Sequence, residues 1–486
     1  MLRPWHLHIS LDDVSGSTLQ ERLLNSLITQ IQQGRLQPGD VLPGSRALAE
    51  QLGVNRKTVQ WAFDDMIAQG WLVSEPRRAT RVSPVLPEVR ELEKVPVPAH
   101  AKLRVPNKLD AMQPAASLAE QEQRVSNDGT PDLRLIPYEE LARATRRGLL
   151  ESIRSGTLGY GDPRGTSRLR WAIQQMLTQD RFMRVTLEQI CVVRGSQMGI
   201  FLSAQLLDPN KGVIVMETLS YPPARATFTS LGFQVVDCRQ DEQGLDTEHL
   251  HELLQNHCVA AVYTTPHHQY PTTVCMSSAR RLALLNLSLQ YDFVVIEDDY
   301  DHEFHYDNRP VAPLASLADA QNVIHIGSLS KVFAPGLRLG YMVAGAELID
   351  RIAGQIMLVD RQGNAIVELA VADLMESGLV KRHIRKARKI YQQRRDLAAS
   401  LLLEALADKV SFDLPAGGMA LWLRCSKVLS EEALAKLRLL GFIGEHFFAQ
   451  GEDKGVHIRF GFASLNEQEI AESVQQLQKC LLDQGI

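Results

Sequence analysis

The sequence predicts two unlike parts: a small, mainly helical N-terminal unit and a large α/β unit built on a parallel sheet. Three observations predict it. Residues 1–84 carry apolar positions at helical spacing, broken by short polar turns. Residues 85–126 are punctuated by Pro87, Pro96, Pro98, Pro106 and Pro114, a density that interrupts helices and favours extended chain. From Asn127 onward, strand-like and helix-like segments alternate, the pattern of a parallel sheet covered by helices.

Length and composition are compatible with this division. The 486 residues admit two to four domains. Hydrophobic residues make up 45% and charged residues 22%, enough apolar material for a large core and too much for a mostly disordered chain. The net charge of −5 excludes a uniformly basic chain but not a local basic face. The six cysteines, at 191, 238, 258, 275, 425 and 480, form no C-x-x-C pair and match neither a zinc site nor a disulfide framework. MLRPWHLHISLDD lacks the apolar core of a signal peptide, and no long apolar span appears, so a cytoplasmic protein without metal or membrane partner is expected.

The first helix is expected across TLQERLLNSLITQIQQ, where Leu19, Leu23, Leu27 and Ile31 share one face. Gly34 stops it and Pro38-Gly39 makes a turn. Ser45 is the expected N-cap of RALAEQL, which Gly53 ends. Asn55 caps RKTVQWAFDDMIAQ, which ends at Gly70, with Val59, Phe63 and Ile67 toward the core. Two short helices around a glycine-containing turn form a helix-turn-helix pattern. In such a unit the start of the second helix meets base edges, here Asn55, Arg56, Lys57 and Thr58, with Arg46 nearby. WLVSEPRRATRVS reads as two short strands, placing Arg77, Arg78 and Arg81 near phosphates or the minor groove. The string QPGDVLPGSRALAEQLGVNRKTVQWAFDDMIAQG closely resembles the winged helix-turn-helix of the GntR regulators. That resemblance implies binding to double-stranded DNA. The wing EPRRATRV departs from the glycines and aromatic usual there.

In the large unit, VCMSS, VVIEDDY and NVIHIGSLS read as strands. Gly327-Ser328-Leu329-Ser330-Lys331 follows the last of these, and Arg338 lies seven residues on. A lysine just past a buried strand is a candidate Schiff-base amine for an aldehyde cofactor. Ser328 and Arg338 could hold a phosphate. Asp298 and Tyr300, at period two, are expected on one side of their strand, the carboxylate against a pyridine nitrogen.

These segments resemble class I aminotransferases from about Asn127 onward. The resemblance implies the type I fold of pyridoxal-phosphate-dependent transferases and pyridoxal 5'-phosphate as cofactor. It makes Lys331 the Schiff-base lysine, with Asp298 on the ring nitrogen and Tyr300 on the ring phenolate oxygen. Ser328, Arg338 and the turn Gly195-Ser196-Gln197 would bind phosphate, the turn through a helix start. Tyr221 would stack on the ring, and Tyr160 would reach the phosphate of a neighbouring subunit. Arg459 would grip an effector carboxylate. Where many aminotransferases have Asn before proline, this chain has Tyr270 before Pro271, so turnover stays open.

The pairing resembles the MocR subfamily of GntR regulators. It implies a multidomain regulator: a DNA reader at 1–84, a linker at 85–126, and a sensor and dimerisation domain at 127–486. The implied effector is an amine, an amino acid or pyridoxal phosphate itself, and the implied state is a homodimer. The alternative is an active aminotransferase carrying a regulatory DNA-binding domain.

Overall fold

The computed structural model describes residues 18–74, 79–87, 129–306, 311–317, 320–329, 331–426, 429–442 and 456–482. The chain divides into two compact units, Met1–Pro106 and Asn107–Ile486.

In the first unit, helix Leu19–Gln32 starts at a reciprocal cap. Thr18 Oγ1 accepts from the Glu21 amide at 3.3 Å, and Glu21 Oε2 accepts from the Thr18 amide at 2.8 Å. Leu23, Leu27 and Ile31 are buried, whereas Leu19, in the first turn, is exposed. Helix Ser45–Leu52 corrects one expectation: Gly44 occupies the N-cap position and Ser45 is the first helical residue. The Ser45 hydroxyl instead accepts from Arg56 Nε at 3.4 Å, tying the two helices together. Gly53 closes that helix in the left-handed region at φ +63°, which favours a residue without Cβ. Asn55 caps helix Arg56–Ala68, its Oδ1 accepting from the Lys57 amide at 2.9 Å. Val59, Ala62, Phe63 and Met66 are buried; Ile67, expected inside, is half-buried because Met66 takes the inner position. β1 (Leu72–Val73) and β2 (Arg81–Val82) pair antiparallel, Leu72 opposite Val82. Trp71, Leu72 and Val82 close the same core as Leu48 and Phe63.

The second unit has a seven-stranded sheet. Its strands are β3 (Ile190–Val193), β4 (Val213–Glu217) and β5 (Val235–Cys238), then, after the small hairpin β6 (Gln240–Asp241) and β7 (Gly244–Leu245), β8 (Val259–Thr264), β9 (Val294–Asp299), β10 (Val323–Ser328) and β11 (Gly340–Val343). Their order is β3-β11-β10-β9-β8-β4-β5. The expected parallel sheet is in fact mixed: β11 runs antiparallel to both neighbours. Among the described residues of the connection 329–339 there is one short 3₁₀ turn, and eleven residues are too few for a parallel crossover, so the chain returns beside β10 in the opposite sense. Every residue of β10 is buried and β9 nearly so, as in a sheet covered on both faces.

VCMSS, expected as a strand, runs through a connection into the start of helix Ser278–Tyr291, with Ser277 as its N-cap. Its Val274 carbonyl accepts from Gln269 within its own loop. β8 already has β4 and β9 on its two edges, so no edge is left beside it for this segment. The remaining strands, β12 (Val410–Ser411), β13 (Ala420–Cys425) and β14 (His457–Gly461), form an antiparallel sheet. It packs with helices Leu379–Leu406 and Glu467–Leu482 around Tyr391, Leu421, Phe460 and Phe462. No helix among the described residues is long and apolar enough to cross a membrane.

Candidate functional site

β4, β8, β9 and β10 end together, and ligands of open α/β sheets bind outside such strand ends. Asp298, the fifth residue of β9, is 3% exposed. Its Oδ2 accepts from the Tyr263 hydroxyl at 2.8 Å, and its Oδ1 has no partner. Burial pushes the Asp298 carboxyl up to about 7, against the lowering effect of the Tyr263 hydrogen bond. Tyr263 is a residue the sequence reasoning missed. Its strand places it opposite Ile296, two positions before Asp298, which is a diagonal contact across neighbouring strands. The strand register carries that signal; a reading of single segments does not.

Lys331 stands three residues beyond β10, which ends at Ser328, and is half-buried. Its Nζ lies 3.4 Å from the Gly129 carbonyl. Arg459, on β14 and 3% exposed, donates to the Pro271 carbonyl at 2.6 Å. Gly129 also meets Arg459: a Cβ at this glycine, held at φ +58°, would lie 3.2 Å from Arg459 Nη2. The expected lysine and the expected carboxylate-binding arginine therefore converge on one backbone position. Gly129 itself carried no motif to reveal this.

Tyr270 packs against Arg459. The Arg459 guanidinium lies 4.8 Å from its ring centre, a cation–π distance. The Tyr221 ring meets it edge-on at 5.2 Å, and the Tyr300 ring stands 6.4 Å away. The Tyr300 hydroxyl donates to the His268 carbonyl at 3.0 Å. Gln269 is buried and holds the loop, donating to the Leu219 carbonyl at 2.6 Å and accepting from Thr272.

The residues expected to bind phosphate lie on two turns. Gly195, at φ +78°, precedes helix Ser196–Gln205. A Cβ there would stand 3.0 Å from Arg338 Nη2, so the glycine lets the guanidinium approach the helix start. Arg338 donates to the Arg194 carbonyl at 2.9 Å and remains exposed. Ser328 is buried at the end of β10. Ser196 is half-buried in the first helical turn. Gln197 turns aside and donates to the Thr227 hydroxyl at 2.8 Å, which leaves its backbone as the contribution to the cradle. Tyr160 is 82% exposed on its own chain, with Arg361 4.8 Å over its ring.

This donor set fits pyridoxal 5'-phosphate. Asp298 Oδ1 is an orphaned buried acceptor of the kind a protonated ring nitrogen satisfies. The helix start at Ser196 and Gln197 and the Arg338 guanidinium offer donors to a phosphate, whereas the Gly195 amide already donates to the Val193 carbonyl at 2.9 Å. Lys331 supplies the amine.

In the first unit, Arg46, Asn55, Arg56 and Lys57 are exposed and Thr58 is half-buried. Arg81 is exposed on β2 and reaches the Gly39 carbonyl at 3.4 Å. Arg77 and Arg78 lie outside the described residues.

A fold and site of this kind define a type I pyridoxal-phosphate transferase unit joined to a helix-turn-helix unit. The chain belongs to the aminotransferase class I and II family, whose profile matches residues 126–477. Residues 19–82 match the bacterial regulatory proteins of the gntR family, so the two together give a MocR-type architecture. The probable rhizopine catabolism regulatory protein MocR of Rhizobium meliloti is 27% identical over 97% of this chain and 95% of its own. The pyridoxine biosynthesis regulator PdxR of Corynebacterium glutamicum is 29% identical over 95% of both chains. The structure of the α-aminoadipate aminotransferase LysN of Thermus thermophilus, complexed with N-(5'-phosphopyridoxyl)-L-leucine, aligns with a TM-score of 0.67. It is 27% identical and covers 76% of this chain and 95% of that one. The cofactor of this fold is pyridoxal 5'-phosphate.

Proposed function

We propose that this protein is a pyridoxal-phosphate-dependent transcriptional regulator that binds double-stranded DNA and senses an amino acid, an amine or a form of the vitamin. The observation that carries the reading is the convergence of Lys331 and Arg459 on Gly129, in a chain that also presents Arg56 and Lys57 at a helix start. Asp298 Oδ1 would accept a hydrogen bond from the protonated ring nitrogen, and Tyr300 would orient the opposite ring edge. Arg338, Ser328 and the Gly195–Gln197 turn would hold the phosphate, with the amides of Ser196 and Gln197 as donors, and Tyr221 would lie against the ring. When bound, the cofactor supplies an aldehyde carbon that takes primary amines and a ring that withdraws electrons. Arg459 binds the carboxylate of an amino-acid effector, within reach of Lys331.

A homodimer fits the surface. Ile153, Leu158 and Tyr160 are exposed, as are Leu358 and Val359. Gln362 joins the two segments, its Nε2 donating to the Gly159 carbonyl at 3.2 Å. An apolar patch of this kind suits a second copy, in which Tyr160 would reach the partner's phosphate. The reader occupies residues 1–84 and acts on DNA in the cytoplasm through Arg46, Asn55, Arg56, Lys57, Thr58, Arg77 and Arg78. The linker spans 85–126 and the sensor 127–486. Coupling follows from linkage: an effector that prefers one arrangement of the dimer shifts the DNA affinity.

The intact set of Lys331, Asp298 and Arg459 also favours a second reading, an active aminotransferase with a regulatory DNA-binding domain. Two measurements on the same preparation separate them: mapping of protected DNA, and multiple-turnover transamination across amino acid and keto acid pairs. Specific protection without sustained turnover is the expected result. Sustained turnover without DNA binding overturns the regulator.

A further inference from the structure

Strand β9 has a second face. Successive side chains leave a strand on opposite sides, so Asp299 points away from Asp298. Asp299 is fully buried and pairs with Arg181, with His267 at 3.0 Å and with His302 at 3.4 Å. Its partners Arg181, His267 and His302 line the floor of a cavity of about 720 Å³, a volume suited to a small organic ligand. Glu303 joins the floor, its Oε1 lying 3.2 Å from His302 Nε2. Burial holds the Glu303 carboxyl well above the ordinary carboxylate range and His302 well below the ordinary imidazole range. Two atoms of this floor, Glu303 Oε2 and Arg181 Nε, are buried without a hydrogen-bond partner. Such atoms are costly unless something polar meets them.

The walls are apolar. Trp171, Ala172 and Met176 come from helix Ser167–Arg181, with Val380 and Ile384 from helix Leu379–Leu406 opposite. The rim is cationic. Arg385 and Arg388 stand one turn apart on that second helix, both exposed. Arg385 donates to the Lys381 carbonyl at 3.3 Å, and neither arginine meets a carboxylate among the described residues. Lys381, also on the rim, is already paired with Asp180 at 3.0 Å.

We propose that this cavity is a second ligand site, distinct from the cofactor site, for an organic anion with an apolar body. The anionic group lies against Arg385 and Arg388, the body against Trp171 and Ile384, and a polar end against Glu303 and Arg181. The site has a route to the cofactor end of the sheet. His267 lines the cavity and begins the loop whose Tyr270 carries Arg459 over its ring. His268, the next residue, holds Asp301 at 2.7 Å.

The test is a fluorescence titration of the full-length, cofactor-loaded protein with 8-anilinonaphthalene-1-sulfonate, an apolar organic anion whose emission rises on leaving water. The expected result is saturable binding of one dye per chain. Arg385→Gln/Arg388→Gln weakens it by roughly tenfold or more, the scale of a lost charge-assisted contact. Both arginines are exposed, so the variant keeps its fold, which circular dichroism checks. Arg351→Gln, at an exposed arginine outside the cavity, binds the dye as the wild type does. Absence of saturable binding, equal affinity in the double-arginine variant, or loss of binding in Arg351→Gln each overturns the proposal. None of these readouts depends on DNA binding.

Discussion

The reader and the cofactor end of the large sheet place their functional groups in opposite ways. In the reader, a fully apolar core of Leu23, Leu27, Leu48, Val59 and Phe63 lies beneath, and Arg56 and Lys57 stand in water. Their charges cost nothing to hold there, and nothing in the core depends on them. At the sheet, Asp298, Asp299 and Arg459 are buried, and Asp298 keeps an acceptor without a partner. Burying such groups is unfavourable until a ligand or counter-charge completes them. Function and stability are thus separable in the first region and opposed in the second.

Substitutions sharpen this contrast, beginning with the largest effect. Lys331→Ala should abolish the visible absorbance of lysine-bound cofactor while far-ultraviolet dichroism stays native. An unchanged band removes Lys331 from its role. Next, Asp298→Asn should weaken cofactor binding by about 1.5–3 kcal/mol, the scale of a hydrogen bond to a charged group. In the cofactor-free chain the sign reverses. The Asp298 carboxyl titrates near 7 when folded against 3.8 in its ordinary state. The folded chain therefore binds the extra proton between those values, and its stability falls as pH rises from about 4 to 7. The asparagine lacks that fall, so thermal melts of the cofactor-free variant and wild type should diverge in the variant's favour from pH 5 to pH 8. Parallel curves would mean that Asp298 is already ionised at no cost.

The reader should show no such trade. Lys57→Ala should cost about 1–3 kcal/mol of operator binding and leave the melting temperature unchanged. A fall in melting temperature would mean that this cation also holds the fold. The smallest effect belongs to Asn55→Ala, which removes the cap on the Lys57 amide and should cost about 1 kcal/mol of stability, read by denaturant titration.

Legibility in the sequence follows the same contrast. The reader is local, so helical spacing, caps and glycines revealed most of it; Gly44 for Ser45 and Met66 for Ile67 are shifts of one position, and Leu19 is exposed because it lies in the first turn. The large unit's motifs located Asp298, Lys331 and Arg338, because each sits at a strand end or turn with its own signature. What those motifs could not show is long-range. Tyr263 reaches Asp298 through strand register, and Gly129 meets both Lys331 and Arg459 across more than two hundred residues of chain. The antiparallel β11 depends on which edge the returning chain finds. The cavity behind Asp299 is assembled from several helices and loops, none of which carries a motif.

The account rests on a coupling between the cofactor site and DNA affinity. Its most direct test is the affinity of the full-length protein for one mapped operator, measured without cofactor, with pyridoxal phosphate, and with the cofactor plus a panel of amino acids. The account predicts that at least one of these states differs from the others by roughly fivefold or more, the lower range of allosteric coupling, and that Lys331→Ala erases the difference. Equal affinity in every state, with the cofactor band present, would contradict it.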